Sequence, residues 1–470
     1  MLMSIVVLMT AEVSAADKPN VVIILADDLG YGDLHCYNPD SKVPTPHLDK
    51  LAAQGMRFTD AHSPASWCTP TRYSLLTGRY PTRNALKWRD GPIIEPGRLT
   101  IASMLRQHGY TTAAIGKWHL GIDVRAEDYS DIRGGPVDHG FDHSFNIPAS
   151  LDIPPYYYFS GHRAVQPPTG HIDDNNSEGW TKIQGAFWRG GPIAPNFKMT
   201  EVLPTLTDHA VDYLTERGAD ASGKPFMLYL ALTAPHTPWL PPDDFRGHSG
   251  ASMYGDFVSY VDANVGRVLA ALDKAGLADN TIVVFTSDNG PVWYPDDVKR
   301  LGHDATGGFR GMKGDLWEGG HRMPLLVRWP GKVQAGAVND RLICQVDLLA
   351  TLAAVVAHTL KPGDAEDSVN MLPALTGRVT DESALRQTLL SEGTFRRTRA
   401  IRKGSWKLIP ILGSGGFTRP ARIKPKSSGP AGQLYNLAVD PHETNNVYAD
   451  HPDIVAELSK LLDQYPLVTE

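Results

Sequence analysis

The chain has 470 residues and a formal net charge of −7, enough length for one large core and a smaller second unit. No apolar run is long enough to span a membrane, so no stable membrane anchor is expected, and the acidic balance argues against nucleic acid as a partner. Three cysteines, Cys36, Cys68 and Cys344, make no disulfide framework.

At the N-terminus, Ile5 to Met9 followed by Val13-Ser14-Ala15 has the apolar stretch and small-residue end of a signal peptide over residues 1–15, without a basic leader. That reading places the protein in the periplasm or outside a bacterial cell; the alternative is a ragged start before the first strand. Asn20 to Ala26 is a continuous β-branched run, expected of a strand buried on both faces. Leu48, Leu51 and Ala52 recur at helical spacing. Thr100 to Gly109 repeats that pattern and leads into a strand over Tyr110 to Ile115. Asp152 to Pro195 has no sustained period and is expected to be a long functional loop, with Tyr156, Tyr157, Tyr158, His162 and Arg163 offering stacking faces and hydrogen bonds to a sugar. Helix Asp208 to Arg217 precedes strand Phe226 to Thr233, and helix Phe257 to Ala275 precedes strand Thr281 to Thr286. Strands alternating with helices predict an α/β sandwich around a large, mostly parallel central sheet flanked by helices, over residues 16–380. From about Leu385 the runs Leu389 to Glu392, Arg399 to Arg402, Trp406 to Ile409 and Gln433 to Asn436 lack intervening helices. They predict a small antiparallel sheet, closed by an amphipathic helix over Pro452 to Tyr465, in a C-terminal domain of residues 381–470.

Four strand-like runs end in polar residues: Asp27-Asp28, Lys117-Trp118-His119, His236 and Asp288-Asn289. Ligands of open α/β sheets bind outside the carboxyl ends of strands, so these residues are expected in one crevice. Each has a plain alternative, a helix cap for Asp-Asp or a turn for Ser-Asp-Asn-Gly, but not all of them together. Asp27, Asp28, Asp288 and Asn289 supply only oxygen, which suits Ca2+ or Mg2+ and not zinc; Ca2+ is favoured because several protein oxygens can enclose it.

Cys68-Thr69-Pro70-Thr71-Arg72 has the spacing C-x-P-x-R, followed by Leu75-Leu76-Thr77-Gly78-Arg79. If a helix starts here, Pro70 suits its first turn and Cys68 and Arg72 share a face. The N-terminal N–H groups then point at an anion. Arg72 would lock the nucleophile's oxygens or pair with Asp28. The competing view is a small buried cysteine beside a structural ion pair. Lys313, in the glycine-rich Phe309 to Asp315, is the natural further cation for a bound anion. Trp293, Tyr294 and His303 lie between the oxygen ligands and Lys313 and are expected at the crevice rim, binding substrate.

With these motifs in hand, the chain resembles the type I sulfatases of the alkaline-phosphatase-like superfamily, with an arylsulfatase A-like or bacterial glycan sulfatase flavour. The resemblance rests on Pro19 to Asp33, Cys68 to Arg72, Gly116 to Gly121, Gly140-Phe141-Asp142, Ala234-Pro235-His236, Ser287 to Gly290, Glu318 to Pro324, Leu434 to Leu437 and Asp440 to Glu443. It implies a sulfuric ester hydrolase (EC 3.1.6 type) in which Cys68 is oxidised to formylglycine by a maturation enzyme. It further implies Ca2+ on Asp27, Asp28, Asp288, Asn289 and the formylglycine oxygen, sulfate held by Lys117, His236 and Lys313, Arg72 beside the nucleophile, and His119 on its second hydroxyl. His236 is the expected general acid. The substrate is then a sulfated saccharide or an aryl sulfate. The alternative is a phosphonate monoester or phosphodiester hydrolase with the same site, since tetrahedral anions of both elements fit it.

Overall fold

The computed structural model describes residues 18–468, so the signal-peptide reading of residues 1–15 lies outside the described residues. Strand β1 (Asn20–Asp27) is buried at every position, as its unbroken apolar run requires. In chain order the other strands of its sheet are β2 (Met56–Phe58), β3 (Thr111–Lys117), β4 (His143–Ile147), β5 (Phe159–Ser160), β6 (Arg163–Ala164), β7 (Phe226–Pro235), β8 (Thr281–Ser287), β9 (Leu325–Arg328) and β10 (Ala337–Asn339). They form one ten-stranded sheet in the order β10-β2-β9-β8-β1-β7-β3-β4-β5-β6. The five central strands, β8-β1-β7-β3-β4, are all parallel, and their carboxyl ends therefore share one edge. Strand β9 runs antiparallel between β8 and β2, and β5 and β6 continue the other side antiparallel.

Helices α1 (Pro46–Gln54), α4 (Val202–Ala219) and α5 (Ser252–Lys274) form one packed group. Helices α2 (Cys68–Thr77) and α3 (Ile101–Gln107) form another with Leu348–Val355. The observed architecture is the expected α/β sandwich with a large, mostly parallel sheet. Thr100 sets the start of α3: its Oγ1 accepts from Ser103 N at 3.0 Å, while Thr100 N donates to Ser103 Oγ at 2.9 Å. Helix α4 starts six residues ahead of the periodic signal at Asp208, because Pro204 fits a first helical turn without a lost donor.

The C-terminal strands β11 (Thr388–Glu392), β12 (Arg399–Lys403), β13 (Trp406–Ile409) and β14 (Gln433–Asn436) form an antiparallel sheet in that order. Leu389, Ile401, Leu408 and Leu434 pack there with Leu458 and Leu462 of the terminal helix Pro452–Leu462. Between the two sheets lies a buried charge network. Lys407 Nζ is 2.9 Å from both Glu318 Oε1 and Glu443 Oε1, and 3.0 Å from His321 Nε2.

The long loop carries short strand pairs, including Gly170–Ile172 against Gly191–Ile193. Its tyrosines correct the expectation of a sugar platform. Tyr156, Tyr157 and Tyr158 are 2%, 0% and 5% exposed, and Tyr156 Oη donates to Arg189 O at 2.7 Å. Burying three large rings anchors the loop and leaves none of them to a ligand. His162 and Arg163 stay exposed or partly so.

Candidate active site

Four of the five parallel strands, β1, β3, β7 and β8, deliver polar residues at or just past their ends to the shared edge. Gly116 shows how tightly this is drawn: at φ +116°, a Cβ there would lie 1.8 Å from Ala231 O of β7, so only glycine allows β3 to turn Lys117 inward here. Asp28 and His119 sit just past their strands at φ +68° and +56°, conformations that non-glycine residues hold only when the surroundings impose them. Helix α2 begins at Cys68 as expected. Its preceding residue, Trp67, makes no side-chain cap, which leaves first-turn N–H groups open to an anion.

The side chains converge. Cys68 Sγ is 3.3 Å from His119 Nδ1. Lys117 Nζ donates to Asp27 Oδ2 at 2.6 Å. Lys313 Nζ donates to both oxygens of Asp28, at 2.6 and 2.8 Å. Asn289 Nδ2 donates to Asp28 Oδ1 at 2.6 Å, and His236 Nε2 is 3.7 Å from Asp28 Oδ2. Arg72 donates to Asp288 Oδ2 from Nε at 3.0 Å and from Nη2 at 2.7 Å, and to Lys117 O at 3.0 Å. Arg72 therefore braces Asp288 and not Asp28, whose carboxylate is turned toward Lys313.

Burial sets the electrostatics and the cations then divide it. Burial opposes charge on Asp27, yet Lys117, His236 and Arg72 together hold its carboxyl well below the usual range. Burial and the neighbouring Asp27 push Asp288 up to about 6 despite Arg72. Burial pushes the Cys68 thiol up, with Lys117 and Lys313 pulling the other way. For His119, burial and then Lys117 and Arg72 keep the imidazole neutral.

Asp27 Oδ1 and Asn289 Oδ1 are buried without a hydrogen-bond partner, and so is His119 Nε2. Buried polar atoms normally have partners, and two orphaned oxygens beside the carboxylates of Asp28 and Asp288 fit a hard divalent cation. Asp27, Asp28 and His236 also bring potential ligand atoms within 4.8 Å of one another. A second such group, His62, Glu318 and His321, is already neutralised by Lys407 and by Arg322, whose Nη1 is 3.0 Å from Glu318 Oε2.

His303 is not at the rim. It is 1% exposed, its Nε2 is 2.8 Å from Asp33 Oδ1, and its Nδ1 accepts from Lys42 N at 3.4 Å. Asp33 in turn accepts from Tyr254 Oη at 2.6 Å and from Gly30 N at 2.7 Å, so His303 braces the turn that follows Asp28. Trp293 is likewise buried, donating Nε1–H to His303 O at 2.9 Å, whereas Tyr294 is half-buried. Trp88 was missed from the sequence. Its ring stands edge-on to His119 at 4.4 Å, and Arg89 stacks on it at 4.8 Å. No motif or period in the sequence marks it.

A family model described as Sulfatase matches residues 19–358, and one described as N-sulphoglucosamine sulphohydrolase, C-terminal, matches residues 312–466. The chain is 35% identical to an N-acetylgalactosamine-6-O-sulfatase of Bacteroides thetaiotaomicron, over 95% of this chain and 93% of that protein. It is 34% identical to arylsulfatase A of Bos taurus, over 98% of this chain and 89% of that one. A solved Bacteroides thetaiotaomicron sulfatase, from work on the metabolism of multiple glycosaminoglycans, superimposes with a TM-score of 0.80 at 33% identity, covering 95% and 99% of the two chains.

Proposed function

The chain belongs to the sulfatase family and is a sulfuric ester hydrolase; from that premise we propose that it desulfates a saccharide through formylglycine made from Cys68, assisted by Ca2+. The observation that carries this is the position of Cys68, at an uncapped helix start with Sγ 3.3 Å from a neutral His119, among Lys117, Lys313 and Arg72. A saccharide is supported by the relative named an N-acetylgalactosamine-6-O-sulfatase. Export to the periplasm or medium, and a maturation enzyme that oxidises Cys68, complete the reading.

A hydrated formylglycine supplies one hydroxyl to attack sulfur and a second whose deprotonation releases sulfate. Asp27, Asp28, Asp288 and Asn289 would hold Ca2+, which adds positive charge beside the sulfuryl oxygens. Lys117 and Lys313 bring two further cations to the same oxygens, already fixed by their carboxylate partners. His236 commits Nδ1–H to Thr237 O at 2.6 Å, which leaves Nε2 for the departing alcohol's oxygen as general acid. His119 presents Nδ1 to position 68 and, being neutral, takes a proton from the group there. Arg72 holds Asp288 Oδ2 in place with two hydrogen bonds.

The test is turnover of sulfated mono- and oligosaccharides, nitrophenyl sulfate and nitrophenyl phosphate by protein whose Cys68 peptide mass shows the aldehyde. Sulfate esters should be the better substrates, saccharides included. Full activity in protein that carries only the thiol would refute the nucleophile; phosphate outrunning sulfate would favour the phosphonate and phosphodiester alternative.

Metal removal gives a second prediction. Exhaustive chelation should abolish turnover and lower Tm, because the carboxylates lose a counter-charge, and Ca2+ should restore both more fully than Mg2+. Undiminished activity at zero measured metal content would remove the cation from the mechanism.

A further inference from the structure

We propose, resting on the saccharide reading above, that the protein holds a second binding site where residues 412–446 meet the loops of residues 293–317, for an anionic stretch of a sulfated oligosaccharide chain. The site is a cavity of about 820 Å³ beside the loop that carries Lys313, with Gly311 and Trp317 of that loop in its wall. Trp293, Trp317, Tyr435 and Gln433 form its buried floor, and Phe309 and Ile423 give it accessible apolar surface. Ile423 is 46% exposed.

Charge identifies the occupant. From Ile411 to Val439 the sequence holds Arg419, Arg422, Lys424 and Lys426 and not one acidic residue, in a chain whose net charge is −7. All four cations are exposed, and Arg419 lines the cavity together with Lys299 and Arg310. Arg310 is already immobilised: its guanidinium lies 3.8 Å over Trp317, and Nη1 donates to Glu443 O at 2.6 Å and to Tyr435 Oη at 3.3 Å. A guanidinium held in place before the ligand arrives loses little freedom on binding sulfate or carboxylate. Asp304 is the cavity's acidic member, and its carboxylate is occupied by Thr306 N, Thr306 Oγ1 and Gly308 N.

The basic segment is also tied to the catalytic loop. Thr418 N donates to Asp315 Oδ1 at 3.0 Å and Thr418 Oγ1 to Asp315 Oδ2 at 2.5 Å, two residues beyond Lys313. Ile423 N donates to Leu412 O at 2.8 Å, which closes the base of the segment. A concave site with the exposed cations Lys299, Arg310 and Arg419 beside the apolar surface of Phe309 and Ile423 suits an acidic sugar residue, for which the cations offer a partner for each anion. The basic segment would draw the chain in from solution, an attraction that salt weakens.

The experiment uses the full chain with Arg419→Ala, Arg422→Ala, Lys424→Ala and Lys426→Ala combined, beside wild type. The probes are a chondroitin sulfate hexasaccharide, a sulfated monosaccharide and nitrophenyl sulfate. Affinity for the hexasaccharide should fall about tenfold or more, equivalent to about 1.4 kcal/mol, with a shallower salt dependence. Turnover of nitrophenyl sulfate and of the monosaccharide should stay within about twofold. Unchanged hexasaccharide affinity overturns the second site alone. Equal losses on all three probes assign the segment a structural role and overturn it too, as does a single-stranded oligonucleotide that displaces the hexasaccharide at lower concentration. Wild type that cleaves nitrophenyl sulfate but binds neither saccharide overturns the saccharide reading itself.

Discussion

His236→Ala should lower turnover of a saccharide sulfate by about 10²- to 10⁴-fold, and that of nitrophenyl sulfate by about tenfold or less. The asymmetry follows from the leaving group. A sugar alkoxide is strongly basic and must be protonated as it departs, whereas nitrophenolate leaves as the anion. In the structure His236 is fixed by Nδ1–H donating to Thr237 O at 2.6 Å, so only Nε2 faces the crevice, 3.7 Å from Asp28 Oδ2. Part of the loss on either substrate reflects one fewer hydrogen bond to sulfate, and it should appear in KM for both. The leaving-group effect should appear in kcat for the saccharide alone. The measurement is kcat and KM on a series of aryl sulfates of rising phenol pKa, extended to a sugar sulfate. A steeper dependence of kcat on leaving-group pKa in the variant supports the general acid. Parallel lines would leave His236 as a sulfate ligand only.

Strand ends were the legible part of this site because the physics that makes them is local. A run such as Asn20 to Ala26 can be buried on both faces only as a central strand, and Asp27-Asp28 directly after it must emerge at the sheet's edge. The same reasoning placed Lys117, His236 and Asp288, and the helix start at Cys68 followed from Pro70. What sequence could not decide is the direction in which a side chain leaves a loop. His303 and Tyr156 to Tyr158 carry the polar and aromatic groups a sugar site would use, yet they point into the protein, where Asp33 and the aromatic packing hold them. Arg72 was expected to lock the nucleophile's oxygens or to pair with Asp28, and it pairs instead with Asp288, whose place beside it the sequence does not encode. Contacts between residues far apart in the chain were invisible for a related reason. Trp88 on His119 and Lys407 between Glu318 and Glu443 depend on how distant segments pack together, and no period or spacing encodes that.

Lys407→Met should cost about 3–5 kcal/mol of stability, the range found when one partner of a buried ion pair is removed. Lys407 is 1% exposed, and its ammonium lies within 2.9 Å of Glu318 and Glu443, one carboxylate from each side of the junction between the two sheets. Methionine keeps most of the aliphatic stem, so the loss measures charge and not packing. The two carboxylates respond to burial differently. Burial opposes charge on Glu318, but Lys407, His62 and His321 outweigh it and hold the carboxyl well below the usual range. Burial, against the pull of Lys407 and with Glu318 adding to it, raises Glu443 from 4.5 to about 7. For Glu443 the folded state binds the proton more tightly, so its contribution is fully present below 4.5 and is lost as pH rises to about 7. For Glu318 the sign is opposite: its contribution is present above the ordinary carboxylate pKa and is lost as pH falls through the depressed folded value. Glu443→Gln should therefore be mild, under about 1.5 kcal/mol, since the amide oxygen can still accept from Glu318 N, and it should flatten the decline in stability between pH 5 and pH 7. Urea midpoints for wild type, both single variants and the double variant at pH 5 and pH 8 make the check. If Lys407→Met and Glu443→Gln are equally mild at pH 8, the ammonium does not hold the junction together. If the double variant recovers part of the loss seen in Lys407→Met, the uncompensated Glu443 carboxylate is what weakens the protein.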